Sequence, residues 1–204
     1  MSNMNTKLIT QFTLIAGLIL TFHSQVFSEE TYRSVTSISY GAYQKTDGDD
    51  TLSGSQLAVS YLSHFSEQWS YFLRLSNGSA SGTHTENGES YDLKSSNSTL
   101  TGGVRWSYDF DVNSDNDTDL SPYVGAGLSV QKYEYDFEYP GSEVGKTSGT
   151  GYGPFVSLGL KIAISANIVI VPGYHYEQIT IKTEDGEDRA FTSSGTSLAF
   201  VARF

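Results

Sequence analysis

The chain has no cysteine among its 204 residues. Disulfides and thiolate metal sites are therefore excluded, and stability has to come from packing and hydrogen bonds. Proline is scarce, at four. Cations are scarce too: 12 Lys and Arg stand against 23 Asp and Glu, for a formal charge of -11. A chain so poor in cations offers no basic stripe to a phosphate backbone, so nucleic acid is not an expected partner. After the N-terminal region no segment carries a helical period, and none is apolar enough to cross a membrane as a helix. What is abundant is glycine (20), tyrosine (14) and phenylalanine (11). Aromatic and β-branched residues favour strands, and 204 residues suit one domain.

The N-terminus reads as an address. Lys7 precedes an apolar stretch from about Leu8 to Phe22, followed by Val26-Phe27-Ser28 with compact residues at a peptidase site. The pattern is that of a secretory signal peptide over residues 1–28. A transmembrane anchor fits less well, because the run falls short of ~20 apolar residues and contains Thr10, Gln11 and Thr13.

From residue 29 the chain alternates with period two. Eight strands are expected, at about 32–43, 56–65, 69–77, 98–110, 120–130, 154–164, 168–178 and 196–204. One face carries Leu57, Val59 and Tyr61, then Trp69, Tyr71 and Leu73, then Leu100, Val104 and Trp106, and so on to Leu198 and Phe200. The other face is rich in Gly, Ser and isolated charges. Val169 and Val171 interrupt that polar face. Aromatics close the apolar stripe at Trp69, Tyr71, Trp106, Tyr108, Tyr174 and Tyr176, as in the interfacial girdles of membrane barrels. A chain without apolar helices crosses lipid only as a closed barrel, since an open edge would leave amides unpaired in hydrocarbon. The connections alternate as well. Those at 66–68, 111–119 and 166–167 are short; those at 44–54, 78–94, 132–152 and 183–193 are long. Long loops on one rim and short turns on the rim with the termini are the pattern of an eight-stranded antiparallel up-and-down transmembrane barrel.

The chain's last residues, Leu198, Phe200, Ala202 and Phe204, resemble the C-terminal insertion signal of outer-membrane barrel proteins, with Ala202 where an aromatic is usual. The segment SPYVGAGLSV, residues 121–130, resembles a central strand of the small OmpA/OmpX-type barrels. The resemblance implies an outer-membrane barrel of Gram-negative type over 29–204, inserted by the barrel-assembly machinery. Its termini would be periplasmic, and outer-membrane lipid and lipopolysaccharide would surround it. No periplasmic domain is expected after the last strand.

Continuing the alternation places Arg33, Arg74, Arg105, Lys161 and Arg203 in the lumen, with Glu177 opposed and Asp109 near the rim. A charge network filling the barrel is expected there, with Phe72, Tyr123 and Phe155 offering cation–π faces to the excess cations. The long loops are acidic: Asp47, Asp49 and Asp50; Glu86, Glu89 and Asp92; Glu134, Asp136, Glu138 and Glu143; Glu184, Asp185, Glu187 and Asp188. Divalent cations or a basic surface partner are the ligands such loops would attract. In residues 111–120, Asp111, Asn113, Asp115, Asp117 and Asp119 alternate like calcium ligands, yet the sharp-turn Gly and closing Glu are missing, so a turn is expected.

No nucleophile–base–orienter set emerges, and no enzyme, metal or cofactor is expected. His64-Phe65-Ser66 with Glu67 superficially resembles the His-x-Ser arrangement of the outer-membrane lipid A deacylases, but it falls at the short-turn rim. His175 and Glu177 lie in the lumen. Gly149, Gly151 and Gly153 read as turn and strand-start glycines. The expected role is structural, with acidic outer loops available for adhesion or surface interaction. A small porin-like channel and a lipid-modifying enzyme stay open as alternatives.

Overall fold

The computed structural model describes residues 34–47, 50–86, 89–111, 119–138, 145–165, 168–182 and 188–202. The expected signal peptide, Arg33, Arg203 and Phe204 lie outside them, as does most of the calcium-like run. Nine strands follow in chain order: β1 (Ser34–Asp47), β2 (Asp50–His64), β3 (Trp69–Glu86), β4 (Glu89–Ser107), β5 (Phe110–Asp111), β6 (Asp119–Glu138), β7 (Gly145–Ser165), β8 (Ile168–Lys182) and β9 (Asp188–Ala202). Eight are long. β5 is a two-residue extension of β4, separated from it by Tyr108 and Asp109, and pairs with the start of β6. No helix occurs among the described residues.

Every neighbouring pair is antiparallel, and β4 pairs with β6 across the register Asp92↔Glu138 to Ser107↔Tyr123. The first and last strands close the sheet, from Ile38↔Phe200 to Thr46↔Thr192. Closure removes both edges, so the ladder satisfies backbone groups all round the wall. Ser34 and Ala202 therefore lie at one rim, which is called the terminal rim below. The turn after β2 sits there, held by Phe65 N–H and Ser66 N–H donating to the Trp69 carbonyl at 3.1 and 3.3 Å. Trp69 N–H in turn donates to Ser66 Oγ at 3.1 Å.

The strands run well past their expected bounds: β3 has 18 residues, β4 has 19, β6 has 20 and β7 has 21. The expected loops at 44–54 and 78–94 are mostly strand, and β1 and β2 are paired out to Asp47↔Asp50, β3 and β4 out to Glu86↔Glu89. Most of 132–152 is likewise strand, in β6 and β7.

The reason is an inversion of polarity along each strand. Near the terminal rim β6 turns Val124, Ala126, Leu128 and Val130 outward, with Leu128 70% exposed, while Gly125, Ser129 and Gln131 face in. Two residues further on, Lys132 and Glu134 are outside and Tyr133 and Tyr135 are buried inside. β8 behaves alike, with Ile168, Ile170, Tyr174 and Tyr176 outward, then Gln178 and Lys182 outward over buried Ile179 and Ile181. An apolar exterior suits hydrocarbon, and a polar exterior over an apolar core suits water. One continuous sheet thus meets two solvents.

Candidate functional site: the filled lumen

The inward-facing side chains of the described strands fill the lumen. They form three layers. Nearest the terminal rim, Tyr123, Ala163, Val169, Val171, Ala199 and Val201 pack together, with Val35 against them. Val169 and Val171, which break the polar stripe in the sequence, are part of this floor. Beside it Leu62, Phe72 and Phe155 form a second apolar group.

The middle layer is polar. Glu177 is buried and accepts from Ser193 Oγ at 2.7 Å and from Gln131 Nε2 at 3.4 Å. Gln131 Nε2 also lies 3.0 Å from Thr99 Oγ1, and Thr101 and Ser129 hydroxyls meet at 2.8 Å. Arg74 Nη2 donates to Gln56 Oε1 at 2.8 Å, and Gln56 Nε2 donates to Ser76 Oγ at 3.1 Å. Among the described residues, however, neither Arg74 nor Arg105 lies within 4 Å of a carboxylate. Aromatic faces stand there instead: Arg105 Cζ is 4.0 Å from the Tyr123 ring centroid and 5.8 Å from that of Phe72, and Arg74 Cζ is 5.9 Å from that of Phe155. Lys161 reaches Asp109 at 3.7 Å.

The third layer is a plug. Tyr43, Leu52, Ala80, Leu93, Tyr133, Tyr135, Ile179, Ile181 and Phe191 are buried together. They come from seven of the eight long strands, β7 being the exception. β7 contributes space. A Cβ added to Gly149 would stand 2.7 Å from the Tyr133 ring, and one on Gly151 would stand 2.6 Å from Ile179 Cγ2 and Ile181 Cγ1. These glycines are inside β7, which corrects their reading as turn and strand-start residues. At the plug's centre Lys45 is 0% exposed, its Nζ 4.4 Å from the Tyr135 and Phe191 ring centroids and 5.1 Å from Tyr133. Sequence reasoning missed Lys45 because its segment reads as a loop. The signal that would have found it is the unbroken parity Ser37, Ser39, Gly41, Tyr43, Lys45.

The remaining sequence candidates are dispersed. Ser66 is an exposed turn residue whose oxygen caps Trp69 N–H, at the end of β2 with His64 and Glu67. Of the expected loop acids, Asp50 contacts His84 at 2.8 Å, Glu134 meets Lys132 at 3.6 Å, and Asp92 faces outward from β4. Asp49, Glu143, Glu184, Asp185 and Glu187 lie outside the described residues. Leu198 and Phe200 of the expected insertion signal face outward, and Ala202 pairs with Ile168.

A closed eight-strand sheet with an apolar outer band and a filled lumen defines a small membrane-type β-barrel. Residues 12–204 match the family model of the outer membrane protein beta-barrel domain, and the chain belongs to that family. No curated protein sequence matches it significantly. Among solved structures it is similar to Neisserial surface protein A, at 17% identity and a TM-score of 0.55, covering 86% of this chain and 100% of that one. It is also similar to Ail, the attachment invasion locus protein of Yersinia pestis, at 18% identity and a TM-score of 0.48, covering 85% and 99%. OprG from Pseudomonas aeruginosa aligns at 10% identity and a TM-score of 0.46, covering 84% and 92%. At such identities the likeness is one of fold.

Proposed function

We propose that this protein is a non-conducting outer-membrane barrel that holds a stem of paired strands above the lipid for contact at the cell surface. The plug carries this reading: nine buried side chains from seven strands fill the lumen within the polar-faced stem. Eight-strand interiors are only wide enough for side chains, and here the side chains are large. A porin-like path would have to pass between Tyr133, Tyr135 and Phe191, whose centroids lie about 6 Å apart. The stem is the extracellular end in this reading and the terminal rim is periplasmic, with residues 1–28 removed on export. Acidic groups on the stem and its connections then face the lipopolysaccharide layer, where divalent cations or a basic surface partner would meet them.

Single-channel recording in planar bilayers is the test. The wild-type protein should give no conductance steps, whereas a Phe191→Gly/Tyr135→Gly double variant that still folds should leak. Steady ohmic steps from the wild type would refute the plug as a seal. Chelating calcium and magnesium should expose the stem of the cell-embedded protein to added protease; unchanged cleavage would remove the cation part of the reading.

A further inference from the structure

Inside the middle layer, several buried polar atoms have no partner among the described residues, and four of their residues fall on one cross-strand row. Ser70 pairs with Arg105, Arg105 with Gly125, Gly125 with Ser157, and Ser157 with His175. The row crosses β3, β4, β6, β7 and β8, and alternation points all of its side chains inward. Ser70 Oγ, Arg105 Nε, Ser157 Oγ and both ring nitrogens of His175 are buried without a hydrogen-bond partner among the described residues. His175 is 3% exposed and Ser157 8%. Arg74 Nε, from the same layer, is in the same condition.

The absence of a side chain at Gly125 lets these groups close in. A Cβ on Gly125 would come 2.8 Å from Ser157 Oγ and 3.6 Å from Phe72 Cε1, so Ser157 and Phe72 lie over that position. Gly103 and Gly127 pair on the adjoining row and also lack side chains. Aromatic rings tie the cluster together. Phe72 and Phe155 have centroids 5.8 Å apart, His175 stacks on Phe155 at 6.1 Å, and the two guanidiniums lie against these rings and Tyr123.

The chemistry of this cluster is one-sided. Guanidiniums only donate and stay charged, and the Ser and His groups each have a proton to give. Among the described residues, two fixed positive charges share the layer with one carboxylate, Glu177, which is engaged by Ser193 and Gln131. Lys161 is already matched by Asp109 at the rim. Water could satisfy the hydrogen bonds of the row but would leave the charge uncompensated, and uncompensated buried charge is costly. An acceptor that carries its own negative charge resolves both.

We propose that the Ser70–Arg105–Ser157–His175 row binds a small monovalent anion of the halide class, enclosed as the barrel closes. Arg105 supplies the charge, Ser157 and His175 supply hydrogens beside Gly125, and Arg74 adds its field from the side. The site is independent of which end of the barrel faces outward and of what the stem contacts.

Bromide is the probe. The full-length protein is folded in detergent in sodium bromide, or in sodium gluconate at equal ionic strength, then desalted into gluconate and assayed by X-ray fluorescence. Wild-type protein should retain bromide in proportion to the folded fraction, and chloride present during folding should compete it out. Arg105→Gln should reduce retention to the gluconate blank while keeping the mobility shift of a folded barrel. Bromide-grown wild-type crystals should show anomalous density between Arg105 and His175. This measurement also decides the matter alone if the variant fails to fold. Wild-type retention at the blank level, or anomalous density confined to the outer surface, would overturn the proposal, as would full retention by Arg105→Gln.

Discussion

Lys45 shows how single residues set this interior. A fully buried lysine is costly unless its charge meets something electron-rich, and three ring faces lie within about 5 Å of Nζ. Glutamate at this position would place an anion against the negative faces of the same rings. Lys45→Glu loses a desolvated cation–π set worth about 2 kcal/mol and adds the penalty of a buried anion, several kcal/mol more. The variant should fail to reach the compact band on unboiled gels, or should show a urea midpoint far below wild type. A midpoint equal to wild type would mean that Lys45 does not sit among the rings.

At the level of whole strands, the level where polarity inverts can be located by substitution. On β4, Val104 is 38% exposed on the outer face in the middle of the apolar band, and Ser96 is exposed on the same face eight residues toward the far end. Val104→Arg should destabilise the folded barrel by about 2–4 kcal/mol, because a cation near the bilayer midplane loses its hydration, and Ser96→Arg by about 0–1 kcal/mol. Unfolding by urea in lipid vesicles reads both; equal costs would contradict the inversion. The inversion also explains what was legible in the sequence. Strand halves in the apolar band were readable, because Leu73, Val104, Leu128 and Phe200 alternate with small polar residues that fill a narrow lumen. The far halves were not. There Lys132, Glu134 and Asp136 alternate with Tyr133, Tyr135 and Phe137, and a chain dense in charge and glycine reads as loop when only one solvent is considered. Parity assigns Arg74, Arg105, Lys161 and Glu177 to one face in the sequence, but the distances that decide between ion pairs and ring faces depend on which strands become neighbours across the barrel. That is set by closure, which no local pattern encodes.

For the molecule as a whole, everything rests on which medium each part of the outer wall touches. The lower wall presents Tyr71, Leu128, Leu158 and Phe200 outward, all more than half exposed. Such a contiguous apolar surface is rare on a water-soluble monomer and expected of a wall in lipid. The stem above it buries its own aromatic core and carries charge outside, as a small soluble barrel would. The most direct measurement uses fluorophores at Leu73, Leu128 and Phe200, with a fourth at Glu134, on protein folded into vesicles. The first three should be quenched by a nitroxide on the lipid chain and sheltered from iodide, and the fourth should respond the other way. Iodide quenching at Leu128 and Phe200, with no effect of the lipid nitroxide, would contradict a transmembrane wall.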